Sequence, residues 1–176
     1  NSFEIENGTV KLILNINNLL NSKKIKYKKI FITDSSPRVD ITEMSNLLKI
    51  IENNKKNIFF KKNNFIFIYK NKTLFELKNT NAGLSIENNV KKLNLTGYLL
   101  EKKTSINYLK KQRHSLSISI PDINLSIKFL FTKKNKIING NSNIQIMDNF
   151  IRFDFTKGNE FIIENGFFRN KLIKTD

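Results

Sequence analysis

Residues that could carry acid–base or nucleophilic catalysis are few in this 176-residue chain. His114, the only histidine, follows the basic stretch Lys110-Lys111-Gln112-Arg113, which is typical of a solvated loop. The acidic residues are scattered, and Glu6, Glu87 and Glu164 flank predicted turns, whereas glycosidase-like hydrolysis needs two carboxylates brought together. The chain has no glycine-rich phosphate loop and no nucleophile elbow. The sequence therefore predicts a protein that is not an enzyme and has no catalytic residue.

Metal and cofactor chemistry has equally little to start from. The chain has no Cys and one His, which excludes a thiolate metal site and most zinc sites, so we expect no metal and no cofactor. It contains no run of about 18 consecutive apolar residues that could cross a bilayer as a helix. Residue 1 is Asn, with no signal-like apolar stretch after it, and we interpret residues 1–176 as one β-rich segment excised from a longer chain.

The net charge of +16 raises the possibility of an anionic partner. The chain contains 28 Asn, 27 Lys and 26 Ile but only 4 Arg, a bias that is expected from an AT-rich genome. Nucleic-acid sites rely on Arg for bidentate and stacking contacts, so a basic nucleic-acid-binding protein is the third-ranked interpretation and nucleic acid is an unlikely partner. Lys pairs recur near predicted turns, where they either keep sheet edges soluble or meet anionic headgroups.

Strict alternation of apolar and polar residues is the strongest structural signal. Leu116, Ile118 and Ile120 alternate with serines, and a second run continues after Pro121-Asp122. Similar short runs recur from Val10 to Ile163, separated by Asn- and Gly-rich breaks, which predicts antiparallel strands joined by tight turns and disfavours βαβ units. The breaks that we interpret as turns are 63–64, 70–72, 87–89, 101–103, 139–141 and 165–166.

One segment departs from this alternation. Met44, Leu47, Leu48 and Ile51 have helical spacing, so residues 41–54 are predicted to form one amphipathic helix, capped by Asp40 or Thr42 and covering one end of the sheet.

A short motif recurs three times. Ile5-Glu6-Asn7-Gly8, Ile86-Glu87-Asn88-Asn89 and Ile163-Glu164-Asn165-Gly166 are each preceded by an apolar residue two positions earlier. Their spacing near 80 residues predicts a repeating strand–turn–strand unit.

A basic strand reaches Pro37 and resumes as the pair Val39 and Ile41, a later strand ends in Tyr69, and after an Asn-rich link another strand closes on Gly97. This succession, which covers most of residues 20–156, resembles the AsmA-like family of bacterial envelope proteins. The resemblance implies an elongated antiparallel sheet curled into a trough, and a relation to bridge-like lipid-transfer proteins and outer-membrane biogenesis. It further implies a location on the periplasmic side of the inner membrane, attached through a segment absent from this chain, with other envelope proteins as possible partners.

The fold class predicted from these patterns is mainly β, an elongated curved antiparallel sheet with one short amphipathic helix. Its apolar face either closes as a sandwich core, in a non-catalytic interaction or scaffold module, or stays open and binds phospholipid or another acyl lipid. We favour the open trough, and so a lipid-binding or lipid-conducting segment. The residues expected to line the groove are Phe65, Phe67, Tyr69, Leu93, Leu95, Leu116, Ile118, Ile120, Leu125, Ile127, Phe129 and Phe131.

Overall fold

A computed structural model describes most of the chain. The described residues are 3–14, 27–43, 46, 49, 51, 53, 55–87, 90–135 and 137–170. They are mainly β-strand, which confirms the predicted class. The chain divides into two compact units, which we call unit 1 (Asn1–Glu101) and unit 2 (Lys102–Asp176).

Unit 1 contains seven of the described strands. They are β1 (Phe3–Glu6), β2 (Thr9–Leu14), β3 (Tyr27–Thr33), β4 (Ser36–Asp40), β5 (Asn57–Tyr69), β6 (Lys72–Glu87) and β7 (Val90–Leu99). β5, β6 and β7 pair antiparallel in sequence order, and β1 and β2 pair antiparallel with β4 and β3. In contrast, β3 and β4 both pair parallel with β5, so this sheet is mixed. Most strand pairs of unit 1 are thus antiparallel, as predicted, and the two parallel pairs on β5 are the exception.

The parallel pairing has a physical reason in the segment between β4 and β5. Parallel neighbours need a crossover connection of about a dozen residues or more, often helical. Residues 41–56 supply it: Ile41–Glu43 form a 3-10 turn, and the backbone at residues 46, 49, 51 and 53 is helical. Ile51 is buried, whereas Met44, Leu47 and Leu48, the other apolar residues of the predicted helix, lie outside the described residues.

A line of left-handed residues crosses the sheet of unit 1. Asn7, Asp34, Lys62 and Asn79 have φ of 60°, 53°, 57° and 46°, and pairing on both sides of each keeps the strands aligned. We call these four residues the left-handed row. Such a residue acts as a bulge, which shifts the alternation of side chains along its strand. The predicted turn at residues 63–64 is consequently wrong, because those residues lie inside β5, directly after Lys62.

Unit 2 is an antiparallel meander. Its strands are β8 (Lys102–Lys110), β9 (His114–Ile120), β10 (Leu125–Lys134), β11 (Ile137–Ile146), β12 (Asn149–Lys157) and β13 (Phe161–Asn170). Every strand pairs with its neighbours in sequence order. The period-2 prediction is confirmed here, but 139–141 and 165–166 lie within β11 and β13 and do not form turns.

The repeated motif does not form the predicted strand–turn–strand unit. Asn7-Gly8 separates β1 from β2, which continue in the same direction along β4 and β3. Asn165, with φ of 52°, lies at a register shift between β12 and β13. Of the middle copy, Ile86 and Glu87 end β6, and residues 88–89 lie outside the described residues. The two fully described copies thus each have a left-handed Asn at a bulge and form no hairpin turn.

Candidate apolar binding face

One side of the unit 2 sheet is lined by apolar side chains. Leu116 lies opposite Phe129, Ile118 opposite Ile127, and these rows continue onto β11 and β12. Residues directly opposite in an antiparallel pair share a face, so the registers define one continuous surface. We call it the apolar face of unit 2; it comprises Leu116, Ile118, Ile120, Leu125, Ile127, Phe129, Phe131, Ile144, Ile151, Phe153 and Phe155.

The opposite side of the same sheet is mainly polar, although Leu130, Phe150 and Phe167 also lie on it. Ser117, Lys128, Asn143 and Arg152 lie in one row across four strands, as their registers show. A sheet with one apolar and one polar side is expected to bury the apolar side against something. Ser126 on β10 belongs to the polar side and is exposed.

The apolar face of unit 2 is not closed into a core. Ile120 and Phe155 are buried, but Leu116, Ile118, Leu125, Ile127, Phe129 and Phe131 are all only half-buried. A sandwich core would bury such side chains almost completely. The seven predicted lining residues on β9 and β10 therefore share one face that remains partly accessible.

Aromatic side chains close one end of this face. His114 stacks on Phe131 with a centroid distance of 5.1 Å, and Phe155 stacks on Phe161 at 5.6 Å. Gly140 lies between Phe131 and Phe155, and the rings cover its strand. A Cβ there would lie 2.7 Å from Cβ of Phe131 and would collide with the Leu130 carbonyl oxygen. Only glycine fits at this position, which explains why a glycine occurs in the middle of β11.

The placement of His114 corrects the sequence interpretation. It begins β9 and is buried, and its Nδ1 lies 2.8 Å from the hydroxyl of Tyr108, which is buried too. The prediction of a solvated loop histidine is wrong because alternation places residue 114 on the apolar side with Leu116. Lys111 and Arg113, which suggested a loop, lie in the exposed turn that precedes His114, whereas Lys110 ends β8.

A buried polar atom lies within the apolar face. Ser142 is fully buried between Phe129 and Phe153 on the neighbouring strands. Among the described residues, its hydroxyl oxygen finds no hydrogen-bond partner. A buried hydroxyl without a partner costs free energy of folding.

The predicted lining residues of unit 1 have a different environment. Phe65, Phe67 and Leu95 are buried, Leu93 is half-buried and Tyr69 is exposed. Phe65 contacts Phe60 at a centroid distance of 5.2 Å, although five residues separate them, because the bulge at Lys62 brings both rings to one side. These residues belong to the core of unit 1, together with Leu77, which is 1% exposed.

A polar seam crosses the core of unit 1 beside the left-handed row. The side-chain amide oxygen of Asn63 (Oδ1) accepts hydrogen bonds from the Ser35 backbone N–H at 2.9 Å and from the Ser35 hydroxyl at 2.5 Å. The Asn63 amide donates to the Ile32 carbonyl at 3.2 Å, and the Thr80 hydroxyl donates to the Leu77 carbonyl at 2.7 Å. Asn63 and Thr80 are fully buried. The seam supplies partners to backbone groups at the bulges, which sequence reasoning missed.

The charged side chains form two separate groups on the polar side of unit 1. Near one end, Arg38 pairs with Glu6 at 3.2 Å beside Glu4 and Asp40. Hydrogen bonds from the Thr42 hydroxyl and backbone N–H hold the pKa of Asp40 below its ordinary value, which confirms Asp40 as a cap. Beyond the left-handed row, Phe31 stacks on Phe59 at 5.2 Å and Lys29 lies over the Phe59 ring.

Within the described ranges, no cluster of three or more His, Cys, Asp or Glu side chains could hold a metal ion. The described part of the chain also contains no helix that is both long and apolar enough to cross a bilayer.

Comparison with known proteins gives no relative. No family model matches the chain, and neither does any curated protein or solved structure.

Proposed function

We propose that this chain binds an acyl lipid along the apolar face of unit 2. The observation that carries the proposal is the half-buried state of Leu116, Ile118, Leu125, Ile127 and Phe129 on a sheet whose other side is mainly polar. Contiguous apolar surface left open on a protein typically marks a binding site. A hydrocarbon chain is a suitable ligand because the face offers many apolar contacts and few polar groups to impose specificity.

The dimensions of unit 2 suit one hydrocarbon chain. Its apolar face lies on four strands, β9 to β12, and a strand spacing of about 4.8 Å gives this face a width of roughly 14 Å. A single acyl chain spans about half of a hydrocarbon core that is about 30 Å thick, or roughly 15 Å. Each buried CH₂ contributes about 0.8 kcal/mol, so partial coverage of one chain gives several kcal/mol before its ordering entropy is subtracted.

We further propose that the chain serves as a lipid-binding or lipid-conducting segment of a bacterial envelope protein, in outer-membrane biogenesis or intermembrane lipid transport. The resemblance to the AsmA-like family supports this, as does the near absence of polar groups from the face. The location follows from the same resemblance, on the periplasmic side of the inner membrane. Coverage of the face by a second protein layer, in a scaffold module, is the competing function.

Lipid content and face-specific variants test the proposal. Mass spectrometry of organic extracts from the purified protein should detect co-purified acyl lipid. Ile127→Asp and Phe129→Lys should reduce the lipid-to-protein ratio by about tenfold or more, since each places a charge on the hydrocarbon path. Ser126→Asp is the matched control, because it adds the same charge to the polar side of β10 and should leave the ratio unchanged.

Two results decide between the functions. Loss of lipid in both face variants, with an unchanged far-UV β signal, supports a lipid-binding face. Wild-type lipid in both variants, or no lipid in the wild type and no uptake from vesicles containing phosphatidylglycerol, would reject it in favour of a scaffold module.

A further inference from the structure

The edge strands β1 and β2 of unit 1 and the edge strand β13 of unit 2 share an unusual construction. β1 and β2 form one edge in unit 1, since β1 pairs only with β4 and β2 only with β3 in the described part of the chain. β13 likewise forms the edge of unit 2, where it pairs with β12. Each edge contains the sequence Ile-Glu-Asn-Gly with its Asn in the left-handed conformation.

The shared bulge places corresponding apolar residues on corresponding sides. Ile5 and Val10 both lie on the apolar side of unit 1, although residues five apart in a regular strand point in opposite directions. Ile163 and Phe168 likewise both lie on the apolar side of unit 2, opposite Phe155 and Ile151. In both edges, the bulge at the Asn of the motif therefore changes which side of the sheet the following residues face.

Both edges expose large apolar side chains. Ile5, Val10 and Leu12 on one edge and Phe161, Ile163 and Phe168 on the other are between 41% and 62% exposed. All ten residues of β13 except Asn170 are exposed. A long, exposed, apolar edge strand is a template for pairing with another strand, and proteins that must stay monomeric normally protect such edges.

We propose that β13 of one copy of this chain pairs antiparallel with β1 and β2 of a second copy. The register is set by the bulges: Ile163 faces Val10, Phe168 faces Ile5, Phe161 faces Leu12, and Asn165-Gly166 lies opposite Asn7-Gly8. In this register the apolar sides of both edges coincide on both sides of the bulge. A shift by one residue would set apolar against polar sides throughout.

Charge supports a second copy as the occupant. The same register places Arg169 opposite Glu4, and opposite charges facing across strands stabilise a pair whereas like charges oppose it. The pairing is heterologous, since each copy contributes a different edge. It is independent of lipid binding, because it uses the backbone edges of the sheets and not the apolar face of unit 2.

Complementary edge variants test the pairing. Wild-type protein should self-associate in analytical ultracentrifugation at about 0.15 M salt, where the Debye length of about 8 Å limits repulsion between copies of charge +16. Phe168→Glu and Ile5→Glu should each weaken self-association by about tenfold or more. Leu100→Glu, at an exposed apolar residue in a turn, is the control and should self-associate like the wild type.

Mixing separates this geometry from other dimers. Phe168→Glu retains an intact β1–β2 edge and Ile5→Glu an intact β13 edge, so an equimolar mixture should form one-to-one dimers that do not grow. A wild-type protein that stays monomeric up to high micromolar concentration would overturn the proposal, as would a mixture that gives no dimers. An Ile5→Glu variant with wild-type self-association would also overturn it by indicating β13–β13 pairing.

Disulfide trapping tests the register directly, because the chain has no native cysteine. Ile163→Cys mixed with Val10→Cys should give intermolecular disulfides under mild oxidation, since the two residues lie opposite each other. Ile163→Cys mixed with Leu12→Cys is two residues out of register and should crosslink at least about fivefold less. Equal crosslinking in the two mixtures would overturn the register.

Discussion

The two units solve the same problem differently. Both contain a sheet with one apolar side, but unit 1 buries Phe65, Leu77 and Leu95, whereas most apolar residues on the corresponding side of unit 2 are only half-buried. Unit 1 is a mixed sheet interrupted by the left-handed row, and unit 2 is a regular meander. The comparison indicates that alternation alone creates an apolar face, whereas the additional elements of a unit decide whether that face becomes a core or a surface.

The largest expected effect contrasts a core residue with a face residue. Leu77→Ala should lower the free energy of unfolding by about 2–5 kcal/mol, because it leaves a cavity at a fully buried position. Leu116→Ala removes the same atoms from a half-buried position and should cost about 1 kcal/mol. Urea denaturation of both variants measures the difference, and equal losses would contradict the contrast between the units.

A second test breaks the polar seam that unit 1 alone contains among the described strands. Asn63→Ala should cost about 2–3 kcal/mol, because it leaves the Ser35 N–H and hydroxyl without their buried acceptor. Asn64→Ala is the control: its side chain is exposed and accepts one bond from the Asn79 N–H, so its loss should cost less than about 1 kcal/mol. Hydrogen exchange at Ser35 should accelerate in the first variant only.

A third test concerns the aromatic end of unit 2. Gly140→Ala should destabilise the protein by about 1–3 kcal/mol, since the new methyl group would force Phe131 and Phe155 apart. It should also raise the exposure of both rings, visible as shifted aromatic NMR resonances. Gly158→Ala is the matched control, because a Cβ there meets no atom within 4 Å; a similar loss in both variants would refute the steric explanation.

Much of unit 2 was predictable from sequence, because its strands obey one simple period. Leu116, Ile118 and Ile127 were assigned to a common face by alternation, and the registers place them there. What failed was local: Asn139-Gly140-Asn141 has turn composition, but its glycine is required by flanking aromatic rings. His114 was misplaced because its charged neighbours outweighed its parity with Leu116.

Unit 1 was harder to predict because its bulges break the alternation rule. A single left-handed residue such as Lys62 reverses which side each later residue faces, and Lys has no composition signal for that conformation. The parallel pairing of β3 and β4 with β5 did leave a signal, since the predicted helix at 41–54 lies between two strands. A strand–helix–strand order favours a parallel crossover, so this pairing is consistent with the sequence pattern.

The smallest expected effect concerns the Asp40 cap at the start of the crossover between β4 and β5. Unit 2 joins its strands by tight turns and has no comparable connection among its described residues. Because Thr42 bonds lower the pKa of the Asp40 carboxyl in the folded state, the ionised form is stabilised by folding. The contribution is present above the ordinary pKa of about 4 and is lost as the pH falls through the lowered folded value. Stability of the wild type should therefore fall slightly more than that of Asp40→Asn between pH 5 and strongly acidic pH. An NMR titration of the Asp40 carboxyl carbon checks the direction of the pKa shift. A midpoint at or above the ordinary value would contradict stabilisation of the ionised carboxyl by Thr42.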